Sequence, residues 1–147
     1  MIHASQYYTE RTGLRRKYAK LSIGADVLHQ IMCTIKIRRA PTRHDNIDFT
    51  PTITKTSSIL PLSLVTGDRG YDSEDNHSFI RDGLHAFSII PARYERVPIS
   101  RTFGKSRNEM RLSYTKLLYN QRNKDETIVS VIKRLFGEHL MSRSTRT

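Results

Sequence analysis

Cysteine is nearly missing from this 147-residue chain: Cys33 is the only one, and tryptophan does not occur. A lone cysteine rules out an internal disulfide framework and a cysteine-rich zinc site. Long apolar runs are missing too. No stretch reaches the roughly 18 residues of a membrane-crossing helix, and the N-terminus lacks the charged-then-apolar layout of a secretory signal. His3, His29, His44, His77, His85 and His139 include no close pair at metal-binding spacing and are expected at the surface, with His77 a weak site candidate. A glycine-rich nucleotide loop, a Ser or Cys nucleophile arrangement and internal repeats are likewise absent. Acidic residues are few: 14 Asp and Glu against 25 Lys and Arg leave a formal charge of +11. The expectation is a cytoplasmic, nucleoid-associated protein with a polyanionic partner and no membrane role. Ribosomal and nucleoid proteins share this balance, so charge alone says nucleic acid and no more.

The length suits one domain with a real core. Basic residues run along the whole chain, which favours a charged surface on a folded domain over a basic arm. The segment from Ser5 to Tyr18 mixes Arg11, Arg15, Arg16 and Lys17 with tyrosines and suits phosphate contact or a solvated loop. Tyr18 to Ile23 and Gln30 to Arg38 alternate as strands of an antiparallel hairpin or meander, with a turn from Gly24 to Asp26. In the second strand Ile31, Cys33, Ile35 and Ile37 share one face, expected to be buried; Met32, Thr34, Lys36 and Arg38 share the other. A short helix is expected within Asp45 to Ser57, despite Pro51. Leu60 to Thr66 reads as a buried strand that delivers Asp68 at its C-terminal end. A helix from Glu74 to Asp82, capped by Ser73, and a strand from Ala86 to Ile90 follow. Asp72, Glu74 and Asp75 suit turn and first-turn positions. Pro91 to Ser113 looks like a mobile loop or linker whose Arg101, Lys105 and Arg107 could contact phosphates.

The last segment is expected to form one long helix from Tyr114 to Phe136, stopped by Gly137. Wound at about 100° per residue, it sets Tyr119, Arg122, Glu126 and Lys133 within an arc about 60° wide. Leu117, Ile128, Val131, Ile132 and Leu135 fall on the opposite side, the side expected to bury. The polar stripe suits either plain solvation or contact with several phosphates of a DNA strand.

The spacing of that stripe is specific: Tyr, two residues, Arg, three residues, Glu, six residues, Lys. It is similar to the C-terminal motif of insertion-sequence DDE transposases. GDRGYDS from Gly67 to Ser73 resembles that family's segment around its second catalytic aspartate, and KRLFG from Lys133 to Gly137 resembles the run after its glutamate. The resemblance extends from about Ser5 to Ser142. It implies an α/β, ribonuclease-H-like mixed sheet with flanking helices, in which three carboxylates hold two Mg²⁺ ions, or Mn²⁺, for in-line displacement at a DNA phosphorus. Asp68 and Glu126 match two of those acids, and each would be both catalytic and metal-binding. Tyr119 and Arg122 would handle the DNA end, and Lys133 its phosphates.

The family's first aspartate lies on a first strand upstream of a segment like SQYYTERTG, and no residue here stands at that position; Asp26, Asp45 and Asp48 do not match it. The expectation is a partial catalytic domain over residues 1–142, lacking its first strand through truncation, with 143–147 a frayed tail. Its function is then DNA transposition, cleavage and strand transfer at element ends, or that of an inactive remnant that binds DNA or pairs with full-length transposase or with a second copy. An unrelated basic ribosomal or nucleoid protein would leave the Tyr, Arg, Glu, Lys register to chance.

Overall fold

A computed structural model describes residues 19–39, 46–93 and 98–136. The basic segment before Tyr18, the helix stop at Gly137, the C-terminal tail, His3, His44 and His139 lie outside them. The class is α/β. β1 (Ala19–Asp26) and β2 (Ile31–Arg39) form the expected antiparallel hairpin, with Leu21 opposite Ile37 and Ile23 opposite Ile35. The turn falls later than expected: Asp26 ends β1, and its carboxylate accepts from the Leu28 amide at 2.9 Å and meets His29 Nδ1 at 2.6 Å.

The hairpin buries the face opposite to the one expected. Thr34 is buried and Lys36 and Arg38 are half-buried, whereas Ile31 and Ile37 are 59% and 61% exposed and Ile35 is exposed as well. The reason lies in α1 (Asn46–Ser57), which packs on the hairpin with a small polar face. Asp48, Thr52 and Thr56 of α1 are buried. Asp48 Oδ1 lies 3.1 Å from Lys36 Nζ and 2.5 Å from Arg38 Nε. Thr34 Oγ1 meets Thr56 Oγ1 at 3.1 Å, and Gly24 makes the close approach possible: a Cβ there would stand 2.5 Å from Thr56 Oγ1. Charge pairing and small side chains overrule the alternation of isoleucines.

The apolar core sits on the other side of α1. Phe49, Val65, Ile80, Ala86 and Ile90 form it, with Ile53, Leu62, Tyr71 and Phe79 packed around them. β3 (Leu64–Thr66) and β4 (Phe87–Ile89) pair in parallel through α2 (Glu74–Ser78), a crossover that runs into a π turn at Phe79–Gly83. Among the described residues the strands make two two-stranded ladders, β1 with β2 and β3 with β4. His77 on α2 is fully buried, against expectation: its Nδ1 meets Ser88 Oγ at 2.7 Å and its Nε2 is buried without a hydrogen-bond partner. Burial, helped by the nearby Arg81, lowers the His77 pKa, so the ring is held neutral.

Two further expectations change. The supposed loop after Pro91 contains α3 (Lys105–Leu112), whose first turn is capped from a distance: Glu74 accepts from the Ser106 and Arg107 amides at 3.0 and 3.1 Å. Gly104, with φ +106, lets the chain enter α3 directly over the Glu74 carboxylate, where any Cβ would collide. The final helix is broken into α4 (Lys116–Asn120) and α5 (Asn123–Phe136). Short-range bonds from Gln121 N to Leu118 O, Arg122 N to Tyr119 O and Lys124 N to Gln121 O tighten the chain between them. The face expected to bury stays largely open: Leu117 and Leu135 are 77% and 71% exposed, and Val131 is exposed too.

Two outcomes test this packing. Asp48→Ala should lower unfolding stability by about 3 kcal/mol in urea denaturation, because Lys36 and Arg38 lose their counter-ion at a buried seam, while Ile37→Thr should stay within about 0.5 kcal/mol. Because the folded-state pKa of His77 lies below its unfolded value, its contribution is complete above about pH 6.5 and is lost as the pH falls toward the lower folded value. Urea midpoints should therefore decline from pH 7.5 to pH 5, and His77→Gln should flatten that decline.

Candidate active site

Asp68 stands just past the end of β3, where the parallel ladder runs on by one residue through Gly67 N donating to Ile89 O at 3.0 Å. The space around Gly67 is tight, because a Cβ there would lie 3.1 Å from Ile90 Cγ1. Asp68 starts a 3₁₀ turn, Arg69–Tyr71, and its Oδ1 accepts from the Arg69 amide at 2.7 Å. Tyr71 then drops into the core beside Phe49, ring centroids 5.0 Å apart. Burial raises the Tyr71 pKa; Ser22 opposes this with a hydrogen bond, and the carboxylates of Asp48 and Asp68 add to it. The acid is thus anchored at both ends of its turn, by strand pairing on one side and an aromatic plug on the other.

Glu126 lies in the first half of α5, exposed. Asp68 and Glu126 line the same cleft, about 580 Å³ in volume. One wall is β1 and its turn, the other is β3 with its approach from Leu60. Phe49, Thr52, Ile53 and Thr56 of α1 line it as well, as do Leu118, Gln121, Arg122 and Val129 around the α4–α5 break. Tyr119 belongs to this neighbourhood electrostatically: burial raises its pKa, Arg122 counters, and Asp68 pushes it further up. The Arg122 guanidinium sits over the Tyr119 ring at 5.4 Å, and Tyr114 meets the same ring edge-on at 5.5 Å. Arg122 Nε is buried with no hydrogen-bond partner.

The remaining candidates are dispersed. Lys133 follows Glu126 by two helical turns, about 10 Å along α5. The continuous Tyr119-to-Lys133 stripe does not exist as one helical face, since the break separates Tyr119 from Glu126. Arg101 is exposed in a 3₁₀ turn, Ile99–Arg101, and Lys105 is exposed at the start of α3; neither lines the cleft. Arg107 is committed elsewhere: its Nε and Nη2 donate to Asp72 at 2.7 and 2.8 Å, and Nη1 to the Phe103 carbonyl at 3.2 Å. The Asp72 side chain is buried. Burial alone would raise the Asp72 pKa, but Arg107 and the Arg93 amide outweigh it and hold the carboxyl below its usual value. The Asp72–Arg107 and Glu74 contacts escape sequence reading because they join residues far apart in the chain; the only local sign is the acidic run Asp72 to Asp75.

Among the described residues no group of three His, Cys, Asp or Glu side chains is placed to hold a metal ion. Asp68 and Glu126, which share the cleft lining with Asp26, are hard oxygen donors of the kind Mg²⁺ takes one or two at a time, with substrate phosphates and water completing its shell. No described helix is long and apolar enough to cross a membrane. The family model of the Transposase DDE domain matches residues 3–147. Comparison with curated proteins and with solved structures gives no match.

Arg107→Ala should lower stability by about 3 kcal/mol, since it strands the buried Asp72 carboxylate. Arg107→Lys should recover less than half of that loss, because an ammonium cannot reproduce the two-pronged contact. Denaturation midpoints of the three proteins check both statements.

Proposed function

The chain belongs to the Transposase DDE domain family, and from that membership we propose that it serves DNA transposition through the cleft between β1 and β3, with Asp68 and Glu126 as two carboxylates of a metal-assisted site. The observation that carries the reading is that these two acids, distant in sequence, line one cleft. The spacing of Glu126 to Tyr119, Arg122 and Lys133 resembles the family's C-terminal motif. A divalent ion, Mg²⁺ or Mn²⁺, would supply Lewis-acid polarisation of a phosphoryl oxygen and lower the pKa of an attacking water.

The chain's own residues hold and orient. Asp68 sits on a turn pinned by backbone pairing and by the partly buried Tyr71, and its Oδ1 accepts from the Arg69 amide. Glu126 approaches from α5. Arg122 stacks on Tyr119 and lines the cleft, where a guanidinium suits a phosphate oxygen. Lys133 extends the positive track along α5, and Arg101 and Lys105 offer exposed charges away from the cleft. Arg107 is bound to Asp72 and has no part in this reading.

A second reading is DNA binding without cleavage, alone or together with a complete transposase. The observation in its favour is that among the described residues no group of three His, Cys, Asp or Glu side chains is placed to hold a metal ion, although Asp26 lines the same cleft as Asp68 and Glu126. One experiment separates the two: purified protein is incubated with supercoiled plasmid in Mg²⁺ or Mn²⁺, and nicking and binding are followed together. Catalysis predicts metal-dependent nicking that falls at least about a hundredfold in Asp68→Asn and in Glu126→Gln with DNA affinity retained. Salt-sensitive binding with no nicking in either metal supports the second reading, and nicking that survives both substitutions refutes the first.

A further inference from the structure

Among the described residues Phe103 is the most exposed large apolar side chain, at 89%. Its loop is not slack. Arg101 N donates to Pro98 O at 2.9 Å and Thr102 N to Ile99 O at 2.8 Å, and the Thr102 hydroxyl accepts from Arg111 Nη1. The Phe103 carbonyl accepts from Arg107 Nη1 at 3.2 Å, and Gly104 lies against the Glu74 carboxylate, where any Cβ would collide. A braced turn thus holds out an aromatic ring that a loose one could fold away. Such a ring offers a partner about 150–250 Å² of surface.

The surroundings favour one class of partner. Arg101 and Lys105, two residues before and two after Phe103, are both exposed, and at about 3.4 Å per residue they stand at most about 14 Å apart along the chain. The carboxylates beside them are engaged: Asp72 with Arg107, Glu74 with the amides of Ser106 and Arg107, and Glu109 with Arg81 at 2.6 Å. Because Glu74 already occupies the amides that open α3, side-chain cations rather than helix amides must meet a phosphate here. An aromatic face between two cations, on a chain of charge +11, suits a polyanion that carries flat rings. In a paired duplex the base faces are hidden in the stack. An unpaired base leaves its face open, and stacking on an aromatic side chain accepts any sequence.

We propose that Phe103 is a stacking platform for one unpaired base of DNA, with Arg101 and Lys105 on the phosphates to either side of it. This rests on the DNA contact common to both readings above and adds a preference for unpaired over fully paired strands. The platform lies outside the cleft, which none of the three residues lines. It is nonetheless tied to the segment that bears the candidate acid, because Glu74, which seats the start of α3, follows Asp68 by six residues.

The test uses the whole 147-residue protein without metal, so cleavage plays no part. A short duplex and the same duplex with 2-aminopurine as a bulged, unpaired base are titrated, with binding read by anisotropy and stacking by 2-aminopurine emission. The bulged duplex should bind at least about fivefold more tightly, with its emission quenched. Phe103→Ala should keep the wild-type urea midpoint, since the ring is exposed, yet lose both the quenching and the preference; Phe103→Tyr should retain them. Arg101→Gln combined with Lys105→Gln should weaken both duplexes alike and reduce the salt dependence of binding. The proposal is overturned if Phe103→Ala still quenches, if it weakens both duplexes equally, or if it lowers the oligomeric state in sedimentation, which would make Phe103 a contact between copies. Equal wild-type affinity for the two duplexes overturns it while DNA binding stands, whereas binding of neither duplex removes the DNA reading as well.

Discussion

The contact that sets the geometry of this molecule is the buried carboxylate of Asp48 between Lys36 and Arg38. An acid taken out of water at the seam between α1 and the hairpin needs cationic partners, and among the described residues the basic face of β2 supplies them. Once that face is inward, a one-residue change of phase is forbidden, because it would bring Ile35 and Ile37 against Asp48 and send both cations outward. Apolar burial pulls the hairpin the other way, and the electrostatic requirement prevails because α1 has little apolar surface on this side. Thr52 and Thr56 face Gly24 and Thr34 there, a close approach that large side chains would prevent.

From this seam the arrangement passes to the cleft through Phe49. The residue next to Asp48 on α1 turns to the other side of the helix and joins the core with Val65, Ile80 and Ile90. It also stacks on Tyr71, which closes the turn that begins at Asp68. The hairpin and the acid-bearing turn are therefore positioned by neighbouring residues of one helix. A second brace lies behind them: Asp72 and Glu74, immediately after the turn, tie α3 down through Arg107 and two backbone amides. The segment from Asp68 to Glu74 thus bears the candidate acid on its cleft side and structural acids on the other.

Much of this was legible in the sequence where the governing forces are local. The apolar run ending in Thr66, the acid after Gly67, the helix after Ser73 and the strand before Pro91 follow from periodicity and punctuation, and all appear within a few residues of their expected bounds. The reading failed where a distant partner decides the outcome. Lys36 and Arg38 look like a solvent face until Asp48 is known to pack beneath them. Residues 105–112 look like a basic linker until Glu74 supplies the cap their own N-terminus lacks. The break at Gln121–Arg122 has neither Pro nor Gly to announce it, and only flanking Asn120 and Asn123, which favour local backbone bonding, hint at it. His77 resembles any helix-surface histidine until Ser88 closes over it.

Asp68 and Glu126 differ in their support, and this bears on how the cleft works. Asp68 is attached to the apolar core, between a parallel ladder and a tyrosine packed against that core. Glu126 rides on a helix with no fully buried residue among those whose side chains are described, and Leu135 on that helix stands largely in water. A carboxylate pair can act on one phosphate only if both members keep their spacing, and a helix held by few apolar contacts opens at small free-energy cost. Leu118 and Val129 line the cleft too, so a molecule bound there would meet the region around Glu126 as well as Asp68.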